Sequence, residues 1–216
     1  MRQARQLANG KAGEIIIAYS AQAAHGPMAD LVVRFKNENP SATLSLYQMS
    51  SHEQLQAIER GEVDIGFMLS AACKSSLSQL RVCRERFVLL LSGHHPLAKA
   101  ETIGLSALRD APFVMGTSKR WETFRSLVNS ACVQAGFLPN IVEEADDVPV
   151  LLQLVALQRG VTLYGAAISS TLPSQVIAVP ISDPHANFDI VVAWDGKRNA
   201  PLVDKFVGFL RALITI

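Results

Sequence analysis

Between Gly13 and Met68, short β-branched apolar runs alternate with amphipathic stripes in the order strand, helix, strand, helix, strand. A chain patterned this way is directed to an α/β sheet with parallel strands. Glu14-Ile15-Ile16-Ile17-Ala18-Tyr19 has the composition of a fully buried central strand. Met28, Leu31, Val32 and Phe35 then fall at i, i+3, i+4 and i+7, one face of a helix whose first turn suits Gly26 and Pro27. Asn39-Pro40 stops that helix, and Ala42 to Tyr47 alternates with period two. Ser51 and Gln54 have capping-box spacing and predict a second helix opening at Ser50-Ser51, with Gly61 at its C′ position. Val63 to Phe67 is the third strand. In open sheets of this kind, ligands bind beyond the carboxyl ends of the strands, where helix N-termini present unpaired N–H groups and partial positive charge. Loops Ser20 to His25 and Gln48 to Ser51 occupy those places, and a small carboxylate suits them.

The second half repeats the theme. After a polar stretch from Ser70 to Ser78, the apolar run Phe87 to Leu91 leads through His94-His95-Pro96 toward a second lobe. Pro112 to Met115 is a strand followed by the loop Gly116 to Arg120, and Trp121, Phe124, Val128 and Ala131 form a helical stripe closed by Gly136. Ile141-Val142 leads to Asp146-Asp147-Val148-Pro149, which joins N-cap acids to a first-turn proline. Val148, Leu151, Leu152 and Val155 mark the buried face of that helix, and Val161 to Tyr164 is the next strand. Phe188 to Trp194 is a late strand, and Val203, Phe206, Val207, Leu210 and Ile214 give a final stripe. If the late strand rejoins the first sheet, residues 13–88 and 188–216 form one lobe and 89–187 the other. The chain then crosses twice, and the two crossings act as a hinge.

Charge and composition narrow the function. With 49% hydrophobic residues in 216, the chain can bury a substantial core. A net charge of +1 gives no reason to expect a nucleic-acid surface on the bulk of the chain, although Arg2, Arg5 and Lys11 precede the first acid, Glu14. No apolar run is long enough to span a bilayer and the first residues lack a signal-peptide core, so a cytoplasmic protein without membrane contact is expected. Cys73, Cys83 and Cys132 are odd in number, lack CxxC spacing and read as reduced thiols. There is no nucleophile elbow, P-loop, GxGxxG or metal-spaced His/Cys set, so no catalytic residue, metal or cofactor is assigned.

Leu7-Ala8-Asn9-Gly10 with Gly13-Glu14-Ile15, Phe35 to Pro40, Leu55 to Phe67, His95-Pro96-Leu97-Ala98 and Gly160-Val161-Thr162-Leu163 occur in an order and spacing that resemble the effector-binding domain of LysR-type transcriptional regulators. The resemblance runs from Leu7 onward. It implies an α/β fold of two Rossmann-like subdomains with a hinge and interlobe cleft, periplasmic-binding-protein-like (type 2). It also implies that residues 1–12 are the end of a linker helix, and that this chain is a fragment of a protein carrying a winged helix-turn-helix. Such a protein binds a small effector in the cleft and promoter DNA as a homodimer or tetramer, with consequences for RNA polymerase recruitment. The helix from Pro27 to Asn37 would lie in the subunit contact.

Effector positions carried over from that resemblance are Gln22, Ser51, Phe67, Thr117, Ser118 and Val148. Ser51 is the strongest, since its hydroxyl and backbone N–H can both face a carboxylate, although capping alone also explains a serine there. The stretch Leu46 to Ser51 resembles members that sense aromatic acids or their ring-cleavage products. Two departures stand out: Gly165 where that subgroup often has proline, and no basic residue near Leu69, which argues against a dicarboxylate effector unless Lys119 and Arg120 supply the charge. His25 and His52 lie at cleft loops, where a lone histidine is usually a surface residue. The rival readings are an enzyme, for which no motif is present, and a transporter's solute-binding protein, which needs export.

Overall fold

The computed structural model describes residues 13–214; the linker-helix reading of residues 1–12 lies outside them. In chain order the elements are β1 (Glu14–Tyr19), α1 (Ala21–His25), α2 (Met28–Glu38), β2 (Thr43–Gln48), α3 (Ser51–Arg60), β3 (Ile65–Leu69) and β4 (Ser78–Ser92). There follow β5 (Pro112–Gly116), α4 (Glu122–Gln134), β6 (Asn140–Ala145), α5 (Val148–Ala156), β7 (Thr162–Gly165), β8 (Val176–Pro180), β9 (Asn187–Trp194) and α6 (Pro201–Ile214), with short 3-10 turns between them. The described residues form two units, 13–83 with 189–214, and 84–188. The chain passes between them within β4 and again within β9.

In unit 1 the strand order is β2-β1-β3-β9-β4. β1 lies parallel to β2 and β3, while β9 runs antiparallel to β3. All five residues of β3 are buried, as expected of a strand covered on both faces. Asp64 fixes the register of β3 on β1: its carboxylate accepts from Ile16 N–H at 2.8 Å and its own N–H donates to Ile16 O at 2.9 Å. Met28, Leu31, Val32 and Phe35 are the buried face of α2, and Phe35 meets Phe206 and Phe209 of α6 edge-on at 4.8 and 5.5 Å between centroids.

Helix α3 begins one residue earlier in phase than Ser51 and Gln54 suggest. Ser50 is the N-cap in extended conformation; its Oγ accepts from Glu53 N–H at 3.2 Å, and the Glu53 carboxylate accepts from Ser50 N–H at 2.7 Å. The capping box is therefore Ser50 with Glu53, and Ser51 is already helical. Gly61 closes the helix at φ +73°. Ser50→Ala should cost about 1 kcal/mol of stability, read as a lowered urea midpoint at unchanged slope. An unaltered midpoint would show that the box is not formed in solution. The segment after β1 also differs from a plain loop, since α1 forms there, capped by Ser20 Oγ accepting from Ala23 N–H at 3.2 Å.

In unit 2 the later part of β4 pairs antiparallel with β7 and β8. β5 and β6 pair in parallel with a register shift at Phe113/Val114, and Phe113 bridges to Val161. The core is aromatic: Phe87, Trp121, Phe124, Tyr164 and Phe188 pack in tilted and edge-on pairs. Asp147 caps α5, accepting from Val150 N–H at 2.8 Å, with Pro149 in the first turn.

Candidate functional site

At the tip of unit 1 the backbone is tied strand to strand. Ser20 N–H donates to Phe67 O at 2.9 Å, and Met49 N–H donates to Tyr19 O at 3.0 Å. Gln54 Nε2 donates to Met49 O at 3.1 Å, holding the turn between β2 and α3. Ser51 is nearly enclosed, and its Oγ accepts from Leu69 N–H at 3.4 Å while keeping its own proton for a second partner. Gln22 is buried in the first turn of α1, and α1 and α3 both pack on β3. The structure thus brings Gln22 and Ser51 to the same end of β3.

Phe67 belongs to that strand end by position but not by side chain. It is fully buried and stands edge-on to Phe206 at 6.4 Å, because it falls on the sheet face that α6 covers. Its carbonyl already accepts from Ser20. Gly66, on the other face, allows α3 to approach: a Cβ there would lie 2.7 Å from both Gln54 Oε1 and Met68 Cε.

At the tip of unit 2, Thr117 N–H donates to Ala145 O at 3.1 Å, and the Thr117 hydroxyl donates to the Asp146 carboxylate. Trp121 Nε1 donates to Asp146 O at 3.0 Å, and Trp121 N–H donates to Thr117 O at 2.9 Å. Arg125 donates to Gly116 O at 2.7 Å and pairs with Glu144 at 2.6 Å. Ser118, Lys119 and Arg120 are exposed, and Val148 is the buried first residue of α5. The loop carrying Thr117 and Ser118 is therefore joined to the turn that leads into Val148, two residues beyond Asp146.

Gln54, Trp121 and Asp146 hold backbone and loop at these strand tips, roles different from the capping-box, helix-stripe and N-cap roles their sequence positions suggest. The Ser50 to Glu53 spacing was available as a signal that frees Gln54 for another role. Asp146 reads locally as an N-cap acid, and no local signal marks its contact with Thr117, 29 residues away. Burial lowers the pKa of His25, whereas His52 is exposed and shares a 2.9 Å contact with Gln56. Burial also pushes the Cys132 thiol up to about 12, so it is protonated at neutral pH. Among the described residues there is no cluster of three His, Cys, Asp or Glu side chains able to hold a metal, and no helix is long and apolar enough to cross a membrane.

The LysR substrate binding domain profile matches residues 8–214. The chain belongs to this family. Among curated relatives, it is 26% identical to the HTH-type transcriptional regulator AlsR of Bacillus subtilis over 94% of this chain and 68% of that protein. It is 25% identical to XapR of Escherichia coli over 95% of this chain and 69% of that one. Among solved structures it resembles full-length CbnR complexed with target DNA (TM-score 0.86, 20% identity, 98% of this chain and 73% of that chain). It also resembles the BenM effector binding domain with benzoate (0.80, 21%, 94% and 92%). A third likeness is to the QuiR effector binding domain with shikimate (0.83, 16%, 94% and 98%). The shared fold is α/β and periplasmic-binding-protein-like, type 2. These LysR relatives are transcriptional regulators, not enzymes, and none supports a transporter's solute-binding protein.

Proposed function

We propose that this LysR effector-binding domain takes a small carboxylate or aromatic acid as inducer, with Gln22, Ser51, Thr117, Ser118 and Val148 at the strand tips forming its surroundings and Phe67 backing them from the core. The observation that carries the reading is Ser51, held in the first turn of a fully capped helix with its hydroxyl proton uncommitted beside the end of β3. Benzoate in BenM and shikimate in QuiR are both carboxylic acids, which supports the class.

The effector acts, in this reading, by rearranging an oligomer. The intact protein is a cytoplasmic homodimer or tetramer on promoter DNA, acting on RNA polymerase, and α2 takes part in the subunit contact. Support comes from Val33 on α2 and from Leu46 and Tyr47 on the edge strand β2, large apolar side chains left exposed in unit 1. CbnR, with its target DNA, supplies the precedent for the DNA step.

Ser51→Ala should weaken binding of the inducer by about 0.5–1.5 kcal/mol, the worth of one ordinary hydrogen bond. Calorimetric titration with a panel of small aromatic and aliphatic acids checks this. An affinity unchanged by the substitution removes Ser51 from the site.

A further inference from the structure

We propose that Gln54 is a positioning residue for the effector: it fixes the turn between β2 and α3 and thereby sets the direction in which Ser51 presents its hydroxyl. The inference rests on the reading of Ser51 as effector-facing and deepens it.

Ser51, Gln54, Leu55 and Ile58 stand at i, i+3, i+4 and i+7 along α3, and all four are buried. The two places farther from the strand tip hold apolar residues, as a helix packed on a sheet requires. The two nearest the tip are polar. Gln54 is completely enclosed, and its Oε1 accepts no hydrogen bond among the described residues. Packing alone would favour an apolar side chain of the same length there, because an enclosed acceptor without a donor opposes folding. β3 also yields to this amide, since any side chain at Gly66 would begin 2.7 Å from the Oε1.

What the amide does is hold one peptide group. Its Nε2 donates to Met49 O at 3.1 Å, while Met49 N–H donates to Tyr19 O at 3.0 Å. Met49 thus has both backbone groups tied, one to the end of β1 and one to α3, and its side chain packs against the apolar cluster that holds Leu55, Ile58 and Met68. The helix start does not need this bond, because Ser50 and Glu53 already cap it reciprocally. The Gln54 bond instead fixes the plane of the peptide that joins Met49 to Ser50, one residue before Ser51. On its other side Ser51 is held only by a long contact, 3.4 Å from Leu69 N–H to its Oγ. If the peptide joining Met49 to Ser50 could turn, the first turn of α3 would drift, and a hydroxyl out of line loses much of a hydrogen bond that weakens steeply with angle.

The test is calorimetric titration of this chain with benzoate and shikimate in a cycle of four proteins: wild type, Gln54→Met, Ser51→Ala and the double variant. Methionine keeps the length and the enclosed contact but removes both the donor to Met49 O and the stranded acceptor. Gln54→Met should weaken binding of the acid by about threefold or more in the wild-type background and by less than about 1.5-fold when Ser51 is already alanine, since a residue acting through Ser51 then has nothing left to position. Gln54→Leu takes its place if the methionine variant fails to fold. Equal losses in the two backgrounds overturn the inference, as does an affinity unchanged in a folded Gln54→Met; in both cases a weakening by Ser51→Ala leaves the reading of Ser51 standing. If Ser51→Ala leaves the affinity unchanged, or neither acid binds the wild type, that reading falls and the inference with it.

Discussion

Trp121→Ala should lower the stability of unit 2 by about 3–5 kcal/mol, the usual cost of truncating a buried tryptophan. The ring is 6% exposed, meets Phe124 and Tyr164 edge-on at 6.0 Å each, and covers Gly116. Alanine would leave a cavity at the junction of three elements and also strand the Asp146 carbonyl without its 3.0 Å donor. Trp121→Phe should lose less, because most of the apolar contact remains while the hydrogen bond goes. Urea unfolding followed by circular dichroism measures both, and a loss below about 1 kcal/mol for the alanine variant would contradict the enclosed position of the ring. Because Trp121 anchors the loop that carries Thr117, the same variant should also loosen that loop, visible as faster amide exchange at Thr117 and Ser118.

The second large effect belongs to unit 1. Phe206→Ala should cost about 3–5 kcal/mol, since its ring is fully buried where α2, β3 and α6 meet. It touches Phe35 at 4.8 Å and Phe67 at 6.4 Å, both edge-on. Val33→Ala on the exposed side of α2 is the control and should change stability by no more than about 0.5 kcal/mol. Equal losses for the two would mean that α6 does not dock on α2. Hydrogen exchange separates this variant from the tryptophan one: Phe206→Ala should deprotect β1 and β3 first, Trp121→Ala β5 and β6.

What could be read from the sequence follows from periodicity. The stripe of α2 announces its buried face because polar residues alternate with it at helical spacing, and Gly61 and Asp147 mark an end and a start by backbone chemistry that few residues share. Ser50 and Ser51 were separable only by asking which serine has an acid three residues on. α1 is five residues long, too short for a period to show. The first half of β4 hides because it is a half-exposed strand rich in charge, Arg81, Arg84, Glu85 and Arg86, and only its fully buried end reads as apolar. The candidate site was legible only as to the helix start at Ser50-Ser51, whose phase Glu53 sets. It was illegible where two distant segments meet, as at Thr117 and Asp146. Phe67 shows a third limit: in a strand buried on both faces, position along the strand is readable but the face is not.

The placement of β9 carries a consequence for how the chain is made. This strand lies between β3 and β4, yet it is encoded after the whole segment 84–188. On the ribosome, β1, β2 and β3 can pair as soon as they emerge, but β3 must then wait with an open, wholly apolar edge while unit 2 is synthesised. At ~5–20 residues per second that interval is roughly 5–20 s, long enough for an unpaired edge to meet another chain. Unit 2, being continuous, can fold during the wait. Nascent-chain lengths ending before residue 187 should accordingly be the ones that recruit chaperones, and release from them should coincide with the arrival of Ile190 to Trp194 opposite β3.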